Sequence, residues 1–225
     1  MNLPDYISYI YHPLRDIPLD QASGTLSDKE KAYLETITHE KRRREFIAGR
    51  ILARTKAASL LGLPANEVRL DICEDGSLDL TDTPYSISLA HTKQGACAAI
   101  GFNTRVGIDL ETIATRHENL HSFILSEEEY PLLESLPMDR DRILILCWTL
   151  KEATLKGMRT GFRNSPKKLR LHIDPENNVA DIEAPNNEVW KAHYTEQDNA
   201  YLSIAYQKPL PGSHNQKPET RNQKQ

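Results

Sequence analysis

The stretch VGIDLE, Val106 to Glu111, carries two carboxylates at alternate positions of an otherwise apolar run. In an extended chain, side chains at i and i+2 share a face, so Asp109 and Glu111 point one way while Ile108 and Leu110 point into a core. Two acids held that close repel each other. Their charge can be met by a metal ion, by an arginine, or by water at the end of an edge strand. A second element, WTLKEATLKG from Trp148 to Gly157, places Glu152 and Lys156 at i and i+4 of a helical pattern. Such a pair alone is an ordinary stabilising contact of about 0.2–0.5 kcal/mol. Glu152, however, lies between Trp148 and Leu155 on the helix surface, a partly apolar face, so its carboxylate could reach the point shared by Asp109 and Glu111. Three acids converging beside a lysine form an oxygen-ligand site of the kind Mg²⁺ takes when it also binds substrate phosphates.

A basic element lies upstream. Between Lys41 and Lys56, seven Lys or Arg residues accompany a single acid, Glu45. Arg42 and Arg44 read as a solvated helix face. Arg43, Arg50 and Arg54 instead project into the sector that holds Phe46, Ile47, Ala57 and Leu61, where an unpaired guanidinium is costly. They must either meet internal carboxylates or line a cleft that holds a phosphate. His91 follows the strand-like run YSISLA at a turn, a place where a histidine is commonly a surface or structural residue. No GxSxG, Walker, GxGxxG or HExxH pattern supplies another chemistry.

The elements that must position these groups are also legible. Residues 5 to 11 read as a strand. Ser27 with Glu30 forms a capping box, and a long helix runs from about Glu40 to Leu61 before Gly62 and Pro64. Strands follow at 85–90 and 95–102, joined across HTKQ, and then RVGIDLE. Ser126 with Glu129 gives a second capping box, and Asp139 or Asp141 opens the helix through WTLKEATLKG. After Pro166 the runs KLRLHID, EVWKAHYT and AYLSIAYQ read as strands. Strand, helix and strand thus occur twice, which predicts an α/β (α+β) fold of two similar halves, 1–103 and 104–207, and a disordered polar tail over 208–225.

Composition sets outer limits. The chain has 225 residues and a formal net charge of −4, which argues against a general nucleic-acid or anionic-membrane binder. Its three cysteines form no metal-ligand spacing and suit a reducing cytoplasm. No basic leader with an apolar run and no stretch of membrane-spanning length is present, so the expectation is a cytoplasmic protein without a membrane partner.

VGIDLE followed some forty residues on by WTLKEATLKG resembles the paired signature of the 4'-phosphopantetheinyl transferases, G-I-D-x-E and W-x-x-K-E-x-x-x-K. KRRREFIAGRILAR resembles the Arg-rich helix of the surfactin-type and enterobactin-type subfamily, and SISLAHT its strand ending in histidine, so the likeness runs in order over about residues 38 to 165. The resemblance implies that Asp109, Glu111 and Glu152 hold Mg²⁺ with the diphosphate of coenzyme A. It places Lys156 beside that diphosphate, with Glu152 also the candidate base, and Arg50 and His91 at the 3'-phosphate. Lys41 and Arg44 match residues that approach the phosphates. The family fold is a pseudodimer of two α/β halves with the active site between them, which implies a monomer acting on an apo acyl or peptidyl carrier protein. Its docking surface is expected after Glu111, at Ile113, Phe123 and Ile124, while Phe123 and Ile124 read equally well as plain core. Ala90 stands where the family has serine, with Ser88 or Thr92 as substitutes, and Arg159 stands where glycine is common, with Gly161 kept. Another Mg²⁺-dependent phosphoanhydride hydrolase would also explain the acids and arginines. A non-enzymatic coenzyme A binding module would explain the arginines alone.

Overall fold

The computed structural model describes residues 1–115, 119–159 and 164–209. The tail beyond 209 and Gly161 lie outside that range. Two five-stranded sheets, antiparallel throughout, are each drawn from one contiguous part of the chain. The first comprises Ile7–Pro13 (β1), Asp71–Ile72 (β2), Leu78–Asp79 (β3), Tyr85–His91 (β4) and Gly95–Phe102 (β5), in the order β1-β5-β4-β3-β2. Between β1 and β2 lie the short Ala22–Thr25 (α1), Asp28–Thr36 (α2) and the 22-residue Glu40–Leu61 (α3). The second sheet comprises Val106–Thr112 (β6), Arg170–Asp174 (β7), Val179–Ala184 (β8), Glu188–Gln197 (β9) and Ala200–Tyr206 (β10), in the order β6-β10-β9-β8-β7. Leu120–Ile124 (α4), Leu132–Ser135 (α5) and Arg140–Met158 (α6) separate β6 from β7. The molecule is therefore a mixed helix-and-sheet fold in two halves, each a sheet backed by one long helix.

Local chemistry sets the helix ends. The Ser27–Glu30 box is closed in both directions at the start of α2, and the Ser126–Glu129 box caps a 3₁₀ turn, Glu127–Glu129, ahead of α5. Asp139 rather than Asp141 caps α6, accepting from the Arg142 N–H at 2.9 Å. Gly62, at φ 69°, ends α3 in the left-handed conformation that glycine adopts without strain. Sequence patterning missed three strands. β2 and β3 have two residues each, too few to show alternation, and the only trace of them is the turn residue pair Asp75-Gly76. β8 does alternate, but two of its three inward residues are the small Ala180 and Ala184.

The pleat of β5 decides how the halves stack. Ala96 and Ala98 face α3, against Ala48, Ile51 and Leu52. Cys97 and Ala99 face the opposite way, into a cluster with Val106, Ile108, Leu110, Leu202 and Ile204 of the second half. On the far side, α6 buries Ile143, Leu146, Leu150 and Ala153 against Ile182, Trp190 and Ala192. With Ile108 and Leu110 committed to the shared cluster, Gly107, Asp109 and Glu111 must face α6. A Cβ on Gly107 would overlap the Ala153 carbonyl and the Gly157 N–H, and one on Gly157 would come within 2.6 Å of the Trp190 ring. Backbone is thus packed directly on backbone.

Gly107→Ala is expected to lower stability by about 3 kcal/mol or more, since the clash is with main chain that no rotamer change relieves. Urea denaturation reads this as a fall in midpoint. An unchanged midpoint would show that strand and helix can part without loss.

Candidate active site

A cavity of about 560 Å³ opens between the halves, lined by α3, by the ends of β4 and β6, by α6, and by the β2–β3 turn. The close approach of β6 to α6 brings the acids and the lysine to it. Lys156 Nζ donates to Asp109 Oδ1 at 2.7 Å and to the Leu89 carbonyl at 3.4 Å. The Trp148 indole N–H donates to Glu111 Oε1 at 3.1 Å, which fixes one oxygen of that carboxylate. Asp109 Oδ2 and Glu152 Oε1 are buried and have no hydrogen-bond partner. Burial first, and then the Asp109 carboxylate, push Glu152 up to about 7, with Lys156 pulling the other way and Glu111 adding to the rise. Burial draws the Lys156 ammonium down, but the charge and hydrogen bond of Asp109 outweigh it and leave the lysine above its ordinary value.

Orphaned buried oxygens on two acids, with a third acid lining the same space, suit a hard cation with oxygen ligands. Among the described residues, no three His, Cys, Asp or Glu side chains are already gathered around one point. Asp109 is engaged by Lys156 and Glu111 by Trp148, so the residue types fit Mg²⁺ while the side chains hold other partners.

The basic helix divides its arginines between two tasks. Arg54, 2% exposed, donates to Glu30 at 2.8 Å and to the Val68 carbonyl at 2.5 Å, so it meets an internal carboxylate. Arg43 meets neither a carboxylate nor the cleft. It donates to the carbonyls of Leu34 and Ile37, joining α3 to the end of α2. Arg50 lines the cavity, with Nε 3.4 Å from Glu30 Oε1, its guanidinium 4.9 Å above the Phe46 ring, and a buried Nη1 without a partner. His91 lies at the cavity edge with Nδ1 3.7 Å from Glu45, and burial lowers its pKa. Lys41 is exposed and 3.6 Å from Glu45 Oε1. Arg44 is exposed and does not line the cavity.

Several expectations shift. Ile124 is fully buried in the core of the second half, which removes it from any docking surface, whereas Phe123 is 52% exposed beside Trp148. Ser88 Oγ accepts the Ile108 N–H at 3.1 Å and Thr92 Oγ1 the Gln94 N–H at 3.2 Å, which orients each oxygen and leaves its O–H to donate. Arg159 holds a left-handed φ of 55° at the end of α6, which explains why glycine suits this position. Its guanidinium crosses to Asp79 at 2.8 Å and to the Leu78 carbonyl, tying α6 to the β2–β3 turn at the cavity wall. The sequence reading gave no role to Glu45 or to Trp148 as a partner of Glu111. The only signal for Glu45 was one acid in a basic run.

Residues 105–207 match the profile of the 4'-phosphopantetheinyl transferase superfamily and residues 29–101 that of the 4'-phosphopantetheinyl transferase N-terminal domain. The 4'-phosphopantetheinyl transferase HetI of Nostoc sp. is 32% identical over 159 residues, covering 64% of this chain and 67% of that protein. The chain belongs to the 4'-phosphopantetheinyl transferase superfamily. The transferase is also similar to a holo-(acyl-carrier-protein) synthase from Bacillus anthracis in complex with CoA (3',5'-ADP), with 19% identity, a TM-score of 0.37, and coverage of 43% of this chain and 93% of that one. The holo-[acyl-carrier-protein] synthase of Thermotoga maritima gives 21% identity, a TM-score of 0.35, and coverage of 45% and 67%. Among the described residues of the transferase, no helix is long and apolar enough to cross a membrane.

The division of the arginines can be measured. Arg54→Met removes the closer, fully buried partner of Glu30 and leaves it Arg50 at 3.4 Å, and is expected to cost about 3–5 kcal/mol of unfolding free energy. Arg50→Met leaves Glu30 with Arg54, so its stability loss should be much smaller. Equal losses of stability would remove the distinction.

Proposed function

We propose that the transferase moves 4'-phosphopantetheine from coenzyme A to a serine hydroxyl of an apo acyl or peptidyl carrier protein, releasing adenosine 3',5'-bisphosphate. The observation that carries this reading is one cavity with the Asp109–Lys156 pair and Glu152 on one wall and Arg50 with His91 on another. A diphosphate placed against Lys156 leaves the nucleotide end facing Arg50 and His91. Mg²⁺, held by Asp109, Glu111 and Glu152, would supply positive charge to offset the diphosphate.

The chain's own groups account for the rest. Lys156 stays protonated, and its ammonium faces the charge that grows on the departing phosphate. Glu152, on the same wall as Lys156, is the carboxylate that takes the serine proton, directly or through one water. The serine oxygen attacks the β-phosphorus, and the bond to the bridging oxygen breaks. Trp148 and Leu155 form an apolar border to this space that limits competing water. Acids, lysine and arginines come from both halves, 1–103 and 104–207, within one chain, which favours a working monomer. Phe123, exposed next to Trp148, and the half-buried Ile113 form the docking edge for the carrier. Three free cysteines agree with a cytoplasmic setting.

Intact-mass spectrometry of apo carrier proteins, incubated with the transferase, coenzyme A and Mg²⁺ or EDTA, should show one added phosphopantetheine on serine only with metal. Release of the bisphosphate with every carrier unmodified would overturn the transfer reading. Glu152→Gln should lower kcat by about 100-fold or more while coenzyme A still binds in calorimetry. Wild-type turnover by that variant would remove Glu152 from proton transfer. Lys156→Met should lower kcat/KM by about 100-fold or more, and a change in KM alone would assign the lysine to binding only.

A further inference from the structure

Arg159 departs from the family pattern and reaches across the cavity. Glycine adopts φ 55° at no cost, whereas arginine carries a β-carbon through the left-handed region, so its side chain is held there against a local preference. Nη2 donates to Asp79 Oδ1 at 2.8 Å and to the Leu78 carbonyl at 3.2 Å, and Nη1 lies 4.0 Å from the Cys73 sulfur. Arg159 ends α6 beside the second sheet, while its partners belong to the β2–β3 segment of the first.

The segment that Arg159 grips is stiff within itself and lightly held to the rest. Asp75 Oδ1 accepts the Ser77 N–H at 2.9 Å and the Ser77 hydroxyl at 2.6 Å, the Gly76 N–H donates to the Cys73 carbonyl at 2.9 Å, and the Cys73 N–H to the Ser77 carbonyl at 2.8 Å. It therefore moves as one piece. β2 and β3 have two residues each, and β3 is paired with β4 at one position, Asp79 opposite Ser86. Leu78 and Leu80 are buried beneath it, but Ile72 is half exposed at the sheet edge. A ribbon this short is marginal alone and opens locally. Asp75, Gly76, Ser77 and Leu78 nevertheless line the cavity together with Arg159, whereas Asp79 lies outside the lining.

We propose that Arg159 is a positioning residue for the donor: by clasping Asp79 and Leu78 it holds the 73–79 turn in place as a wall of the cavity, and the molecule with that wall in place is the one that binds coenzyme A tightly. The inference rests on coenzyme A occupying this cavity, as proposed above. Apparent affinity falls in proportion to the fraction of molecules whose wall is in place, so the clasp acts through population and needs no contact with the donor. Its side chains are 36% and 41% exposed, so the effect is a few-fold and not orders of magnitude. Glu152 and Lys156 are seated by α6 against β6, which leaves the chemical step unchanged.

The test compares the wild type with Arg159→Gly, which removes the clasp without straining the backbone, with Asp79→Ala, which removes its partner and keeps the arginine, and with the double variant. Three quantities are read: calorimetric affinity for coenzyme A, KM and kcat with one carrier protein, and amide hydrogen exchange over residues 71–79. Each single variant should weaken coenzyme A binding and raise its KM by about three- to fivefold with kcat within about twofold, and the double variant should be no weaker than the worse single. The amides of 71–79 should exchange faster in all three. An arginine that instead touched the donor would be freed by Asp79→Ala and bind as well or better. Coenzyme A affinity unchanged or tighter in Asp79→Ala therefore overturns the proposal, as does unaltered exchange, or a fall in kcat with KM unmoved. Should no carrier be modified, the transfer reading fails, and affinity with exchange decides the clasp alone: both changed uphold it, and either unchanged overturns it. No binding of coenzyme A to the wild type would overturn both.

Discussion

Everything at the site depends on β6 lying directly against α6, with the missing side chain of Gly107 letting the Ala153 carbonyl come to the strand backbone. Asp109 and Glu111 are two and four residues along the strand from that contact point. Glu152 and Lys156 flank it on the helix. Because both elements are rigid there, the 2.7 Å pair of Lys156 with Asp109 follows from the register rather than from a flexible loop. Gly157 repeats the device against Trp190, so the helix is seated at two points.

Ion pairs inside the molecule divide into those that hold it and those that face the cavity. Lys151, fully buried, donates to Glu129 at 2.5 Å and to the Ile124 carbonyl, and Glu129 also accepts the Leu171 N–H and closes the Ser126 box. Burial lowers the Lys151 pKa and Glu129 opposes that shift, so the motif's first lysine is structural where its second is exposed to the cavity. The same division separates Arg54 from Arg50 four residues apart on α3. In both cases spacing places the charge, and the partner on the neighbouring element decides its use.

Much of this was legible in the sequence and some was not, for physical reasons. The i, i+2 acids and the i, i+4 pair fix faces within single elements, and those faces touch through Lys156 and Asp109, while among the described residues the three acids are not gathered around one point. Both capping boxes were legible because they are local chemistry. Which arginine would meet a carboxylate was not, since Glu30 lies on a different helix and its capping pattern gives no hint of a second task. Arg43 escaped both alternatives because backbone carbonyls at the end of α2 are invisible to side-chain patterning. Ile124 went to the core and Phe123 to the surface, a choice the sequence left open because one turn of helix does not reveal which of two neighbouring apolar residues turns inward. The β2–β3 turn, which completes the cavity wall, was too short to show any period.

Glu30 has a further consequence. One of its oxygens accepts the Ser27 N–H at 2.8 Å and the Arg54 guanidinium at 2.8 Å, while the other lies 3.4 Å from Arg50. A ligand that draws Arg50 away therefore leaves the first oxygen fully engaged. The carboxylate acts as a charge reservoir: it lends one cation to the cavity and keeps another for the scaffold. A ligand on Arg50 would be felt at α2 through the second oxygen alone, which is buried and has no hydrogen bond of its own.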